Sequence, residues 1–267
     1  MSRFRPNRVY ASIEPDQVAL VKMADRQSRE TEDERIFEAD FDSERPLDTL
    51  AIVSAMLHEP RWRDTQRRIV LSDRLVRYLV IARPQGLRSM SELKLAVQTH
   101  FEQAYDAAAA DWVIALHALP FARRFVACAM PRSLLDAAHA TFSAAGVCAS
   151  IQPFLICEMN RRARQLPHHC WYAAAARDCV ALSEIVKGEC QRIRVLPISS
   201  GTDIADLIGQ EQLLSGLETG GAPVLLSGVV EEAFDAAQMT RVDQTRWLSK
   251  GRDWTARYRL ALAEVWT

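Results

Sequence analysis

Two aspartates lie in turns between strand-like runs, and they are the first candidates for chemistry. Asp16 falls in Ile13-Glu14-Pro15-Asp16-Gln17, between the runs at 8–13 and 18–23; Asp178 falls in Ala176-Arg177-Asp178, between the runs at 169–175 and 179–186. A turn carboxylate can hold a metal ion, and neighbouring glycine N–H groups can wrap a phosphate, because a missing Cβ lets backbone approach an anion. Neither turn has a glycine. The first glycine in the chain is Gly86, and Pro15 removes one more N–H donor. Asp16 and Asp178 are therefore read as ordinary turn residues.

The remaining candidates are sparse. His168, His169 and Cys170 form the one cluster with metal-ligand character, but on a strand His168 and Cys170 share a face while His169 points away. His58, His100, His117 and His139 are scattered over different elements, and no G-x-S-x-G nucleophile elbow occurs. No catalytic residue and no metal ligand is assigned. Six cysteines lie at 128, 148, 157, 170, 179 and 190, with no C-x-x-C pair. Several sit inside apolar runs and read as buried free thiols.

Composition sets the frame for these residues. The chain has 267 residues, 49% hydrophobic and 25% charged, with a formal net charge of -1. That is enough chain for one large or two smaller domains, with no need of disulfides or metal to stabilise a core. No global field draws it to nucleic acid. No signal-peptide pattern and no apolar run of about 18 residues is visible, so a cytoplasmic location is the expectation.

The elements that must position any site follow from periodicity. Strands are predicted over 8–13, 18–23 and 35–41, with a solvated loop at 25–34. A largely buried helix over 47–57 and a strand over 68–72 come next. The segment 74–154 reads as a β-α-β-β-α-β unit. Its first helix opens on the capping box Ser89-Met90-Ser91-Glu92, with Met90, Leu93, Val97, Phe101 and Ala104 on one face. Its second helix starts at Pro131 and closes at Gly146. The second half starts over: strands at 169–175, 179–186 and 191–196, a helix capped by Thr202, a strand Val224-Leu225-Leu226, and helices over 229–237 and 254–266. Three meandering strands, a helix, a strand and a helix thus appear twice, with no matching sequence repeat. That is the layout of an α/β protein of the actin-like, RNase H-like type. It has a duplicated β-β-β-α-β-α core and an inserted subdomain, with boundaries at 1–73, 74–154 and 155–267.

The run Ile69-Val70-Leu71-Ser72-Asp73-Arg74-Leu75-Val76-Arg77-Tyr78, the helix before Gly146, and Val147 to Pro153 resemble the PilM family and the cytoplasmic part of GspL. These are assembly proteins of type IV pili and type II secretion systems. The resemblance implies two strand-turn-strand phosphate loops and a third, apolar-Gly-Gly loop supporting adenosine. The first two are the turns at 12–17 and 174–178, which in that fold line one cleft and here lack glycine. The third survives in part as Leu225-Leu226-Ser227-Gly228, with Val229 in place of a second glycine. Ser227 and Gly228 are read as a vestige of the adenosine loop, and ATP and Mg²⁺ are not expected to bind.

The implied role is a non-catalytic scaffold beneath an inner-membrane platform. It would bind the cytosolic tail of a membrane partner and touch the assembly ATPase. Two alternatives stand beside it: an active ATPase or phosphotransferase with unusual loops, and an unrelated small α/β regulatory or ligand-binding protein. Arg61, Arg63, Arg67, Arg68, Arg74, Arg77, Arg83 and Arg88 form a dense basic group opposite an acidic excess at 25–48. They read as solvated faces, or as a docking surface for a partner. Nucleic acid is not expected, since no aromatic platform interleaves them. Arg161, Arg162 and Arg164 read as the polar end of a linking helix.

Overall fold

The computed structural model describes residues 8–23, 35–42, 45–86, 89–106, 108–117, 123–199, 202–215, 222–228, 246–247 and 260–261. The chain divides into two compact units. One draws on 1–75, 133–161 and 255–267, the other on 76–132 and 162–254.

In the first unit, strands β1 (Arg8–Ile13), β2 (Gln17–Lys22) and β3 (Ile36–Asp40) form an antiparallel meander. Helix α1 (Pro46–Leu57) leads to β4 (Thr65–Leu71), which lies parallel to β1. Strand β5 (Arg77–Ala82), helix α2 (Met90–Tyr105), β6 (Trp112–His117) and β7 (Arg124–Pro131) belong to the second unit. Helix α3 (Arg132–Ser143) then brings in β8 (Gly146–Pro153), parallel to β4. The resulting sheet has the order β3-β2-β1-β4-β8. Strands β1 and β2 are buried on both faces, which is why they read as near-continuous apolar runs.

The second unit repeats that order. After helix α4 (Phe154–Arg162), which lies in the first unit up to Arg161, come β9 (His169–Ala175), β10 (Cys179–Val186) and β11 (Glu189–Pro197). Helix α5 (Ile204–Leu214), β12 (Val224–Gly228) and β13 (Arg246–Trp247) follow, giving β11-β10-β9-β12-β13. Trp171, Ala173 and Ala175 of β9 meet Val180 and Leu182 of β10 and Ile204, Ala205 and Ile208 of α5 in one core. Strands β5, β7 and β6 make a separate antiparallel sheet, on which Leu93 and Val97 of α2 pack against Ile81, Phe125 and Ala127.

The registers expose a repeat that periodicity missed. Ile13 pairs with Val18, and Ala175 pairs with Val180. Superposing those pairs shifts the numbering by 162 (175 − 13) and aligns Tyr10-Ala11, Asp16 and Val18-Ala19-Leu20 with Tyr172-Ala173, Asp178 and Val180-Ala181-Leu182. The two halves therefore share sequence at their first hairpins, contrary to the expectation of element order alone.

Other local expectations change too. Strand β8 pairs with β4, so the last strand read into the 74–154 unit lies in the first sheet. Pro131 ends β7 rather than opening a helix, and Gly146 opens β8. A Cβ on Gly146 would stand 2.6 Å from the Thr65 carbonyl, so strand pairing needs the glycine there. Asp203, not Thr202, caps α5, accepting from the N–H groups of Ala205 and Asp206. Ser89 caps α2 as expected, its hydroxyl accepting from Glu92 N–H at 3.2 Å, but Met90 faces solvent. Helix α1 buries Leu50, Val53, Met56 and Leu57 yet exposes an apolar outer face, so it is half-buried rather than enclosed. The expected loop at 25–34 and the helices at 229–237 and 254–266 fall outside the described residues, apart from Leu260 and Ala261.

Candidate functional site

The two candidate turns are built alike. In the first, Glu14 N–H donates to the Gln17 carbonyl at 2.8 Å, and Phe41 N–H donates to the Asp16 carbonyl at 2.9 Å. In the second, Ala176 N–H donates to the Cys179 carbonyl at 2.8 Å, and Ile198 N–H donates to the Asp178 carbonyl at 3.0 Å. Glu14 thus matches Ala176, and Asp16 matches Asp178. The N–H groups that open each turn are consumed inside it. Glu14 is buried, and its Oε1 accepts from Gln17 Nε2 at 2.6 Å, so this carboxylate is engaged with its own hairpin. With Pro15 lacking an N–H and no glycine in either turn, neither matches what a phosphate cradle needs.

In the second unit the third motif stands beside the second turn. Gly228 pairs with Ala175 across β12 and β9. Its φ is +129°, and a Cβ there would stand 2.1 Å from the Ala175 carbonyl oxygen. Close strand approach alone requires this glycine. Ser227 is buried, with its hydroxyl against the Tyr172 hydroxyl. Ser227 and Gly228 therefore have structural partners next to the turn that carries Asp178.

The other candidates separate. His169 is exposed at the start of β9, whereas Cys170 is buried, its Sγ directed at the Pro167 carbonyl. Burial pushes the Cys170 thiol up to about 11, so it stays protonated. Among the described residues no group of three His, Cys, Asp or Glu gathers as a metal set. Cys157, Cys170 and Cys179 are buried; Cys128, Cys148 and Cys190 are half-buried, and all six are free thiols.

The arginine group divides between the units at residues 75 and 76, and Arg88 lies outside the described residues. Arg67 is fully buried. Its guanidinium donates to the carbonyls of Phe142 (2.8 Å), Ala145 (2.8 Å) and Trp62 (3.1 Å), and to Thr65 Oγ1 (3.2 Å). Burial lowers its pKa from the ordinary arginine value, opposed by Cys148 and Asp64. It ties the end of α3 to the start of β4 and belongs to no docking surface. Arg61 pairs with Glu59 at 3.0 Å and lies over the Trp62 ring. Arg63 donates to the His58 carbonyl.

Sequence reasoning missed three polar fixtures. Besides Arg67, the buried Asp73 accepts from Leu155 N–H at 3.1 Å on both oxygens, at the first turn of α4. Glu184, 2% exposed, has one carboxylate oxygen without a hydrogen-bond partner, next to Trp171 on β9, whose indole N–H is also unpartnered. None of the three had a local signal; Asp73 meets a helix start 82 positions further along the chain.

No family model and no curated protein matches the sequence. Solved structures do. The PilM-PilN type IV pilus biogenesis complex aligns at a TM-score of 0.61 and 14% identity, over 91% of this chain and 88% of that one. A protein of unknown function from Bacteroides thetaiotaomicron with an actin-like ATPase fold gives 0.60 and 11%, over 98% of both chains. The cytoplasmic domain of EpsL, an inner-membrane component of the Vibrio cholerae type II secretion system, gives 0.51 and 9%, over 97% and 93%. The fold is the actin-like ATPase fold, with PilM and the EpsL cytoplasmic domain among its structural neighbours. Among the described residues no helix is long and apolar enough to cross a membrane.

Proposed function

We propose that this chain is a non-catalytic scaffold of a type IV pilus or type II secretion platform, acting at the cytoplasmic face of the inner membrane. It binds the cytosolic tail of a membrane partner and contacts the assembly ATPase. The observation carrying the proposal is the pair of closed, glycine-free turns in a fold shared with PilM and the EpsL cytoplasmic domain. One neighbour is an inner-membrane secretion component and the other is described in complex with PilN. A few apolar anchors would supply the binding energy, and arginines would set orientation and rate.

A second reading rests on one observation: Asp16 and Asp178 occupy equivalent positions in the two turns. It makes the chain an ATP-binding protein with unusual loops. Titration calorimetry with Mg-ATP separates the two readings. The scaffold reading expects no binding tighter than about 100 μM, equivalent to ~5.5 kcal/mol; tighter binding overturns it. A pull-down from membrane extract of a bacterium with pilus or secretion genes should recover a platform protein through its cytosolic tail. Recovery of none, with the chain folded, counts against the role.

A further inference from the structure

Helix α5 packs on its sheet through one stripe, with Ile204, Ala205, Ile208 and Glu211 as its buried residues. The first three join the core on β9, β10 and β12. The last turn is held differently. Its one buried side chain is Glu211, while Leu213 and Leu214 are 84% and 70% exposed. A carboxylate therefore stands where the stripe calls for an apolar residue. Strand β11 retains it: Glu211 Oε2 accepts from Arg192 at 2.8 Å, and Oε1 stands 3.8 Å from Arg194 Nε.

Arg192 has a second carboxyl beside it. Glu184 of β10 lies directly across from Arg192 in the antiparallel register, and such pairs share a face with Cβ atoms about 5 Å apart. Glu184 is 2% exposed, and its Oε1 has no hydrogen-bond partner. On its other side is Trp171 of β9, whose indole N–H does not reach it. The register slips between Glu184 and Ile185, and bulges of this kind re-aim side chains. One guanidinium thus stands between two buried carboxyls and is hydrogen-bonded to Glu211.

We propose that Arg192 is a latch with two positions: bonded to Glu211 it docks the last turn of α5 on the sheet, and bonded to Glu184 it releases that turn. The trigger is the Glu184 proton. Neutral Glu184 attracts the guanidinium weakly, so Glu211 keeps it. When Glu184 gives that proton to solvent, two buried carboxylates compete for Arg192. A buried charge without a partner is costly. Glu184 is fixed in mid-sheet, whereas Glu211 sits on a helix end that can carry it to water. Burial raises the Glu184 carboxyl and Arg192 opposes this, so the exchange falls above the ordinary carboxylate range. Among the described residues, the other titratable groups facing this place do not compete. Arg194 stands with Glu211, and the Cys190 thiol, within reach of Glu184 and Arg124, is pushed up to about 12 by burial and stays protonated. The device lies in the second unit alone and does not rest on the scaffold reading.

Amide hydrogen exchange of Gln212 to Ser215, followed by NMR from about pH 5 to 8, reads the turn. The carbon-13 carboxyl resonance of Glu184 reads the proton. Linkage binds the two: an approximately tenfold gain in Glu184 acidity on exchange is an equal gain in opening of the turn. Protection of Gln212 to Ser215 should fall at least about tenfold as pH rises through the Glu184 titration, while that of Ile208 stays level. Glu184→Gln should keep the turn protected across the whole range. Glu211→Gln leaves Arg192 to Glu184, so the turn should be open at every pH and Glu184 at least about tenfold more acidic. If Glu184→Gln misfolds, the wild-type series and Glu211→Gln still decide. Protection that is level with pH in the wild type, a pH dependence that persists in Glu184→Gln, or a Glu184 titration unmoved by Glu211→Gln overturns the proposal.

Discussion

Replacing Arg67 by methionine is the sharpest test of how the first unit is held together. Methionine keeps a long apolar stem and removes the guanidinium. Three backbone carbonyls, of Phe142, Ala145 and Trp62, then lose a charged donor at 2.8–3.1 Å in a buried place. Each orphaned buried acceptor costs ~1–3 kcal/mol, while removing a cation that burial disfavours returns part of that. The expected net loss is about 3 kcal/mol, comparable to breaking a buried ion pair. Lysine keeps the charge but reaches fewer of the carbonyls, so Arg67→Lys should lose roughly half as much. Urea unfolding followed by circular dichroism measures both, and amide hydrogen exchange at 142–146 reads the local effect. A stability change under about 0.5 kcal/mol for Arg67→Met would refute the reasoning, because surface substitutions have effects of that size.

Three further outcomes follow from single contacts. Gly228→Ala should destabilise the second unit by at least about 1–3 kcal/mol, since the added Cβ would stand 2.1 Å from the Ala175 carbonyl; an unchanged melting temperature would show that β12 need not lie so close. Burial raises the Glu184 carboxyl above its ordinary value, against Arg192, so the folded state holds this proton more tightly than the unfolded state. Stability then falls as pH rises from the ordinary carboxylate range through the raised value. Glu184→Gln should raise the melting temperature at pH 7 by about 2–4 °C, with the gain shrinking toward pH 4; a constant offset across that range would exclude the carboxyl. Ala261 packs, fully buried, on Tyr10 and Val21. Ala261→Glu should therefore cost about 3 kcal/mol or more in the first unit by burying an unpaired charge, and near-wild-type urea unfolding would contradict that packing.

Much of the fold was legible because its signals are local. Alternating and apolar runs marked the described strands other than β13 to within a few residues. The capping box marked the start of α2, and turn residues marked both hairpins. Helix boundaries at Pro131 and Thr202 were misplaced because proline also ends strands and because Asp203 competes as a cap. The outer face of α1 was misread because an apolar residue reads the same whether it faces a core or solvent. The repeat at the hairpins was missed because Tyr, Ala, Asp, Val and Leu are common residues. Only the shared registers, Ile13 with Val18 and Ala175 with Val180, fix their alignment.

By itself, the sequence determined which segments become most of the described strands and helices, β13 excepted, and that both turns lack glycine, because those properties depend on residue type and near neighbours. The tertiary structure alone decided that both sheets share one strand order, with the parallel partners β4 and β12 beside β1 and β9. It alone decided that Arg67 is an internal fastener rather than a surface charge, and that Gly228 answers to Ala175. Parallel pairing and burial of a charge depend on residues 50 to 80 positions apart, and no local pattern records which distant carbonyl a guanidinium will find.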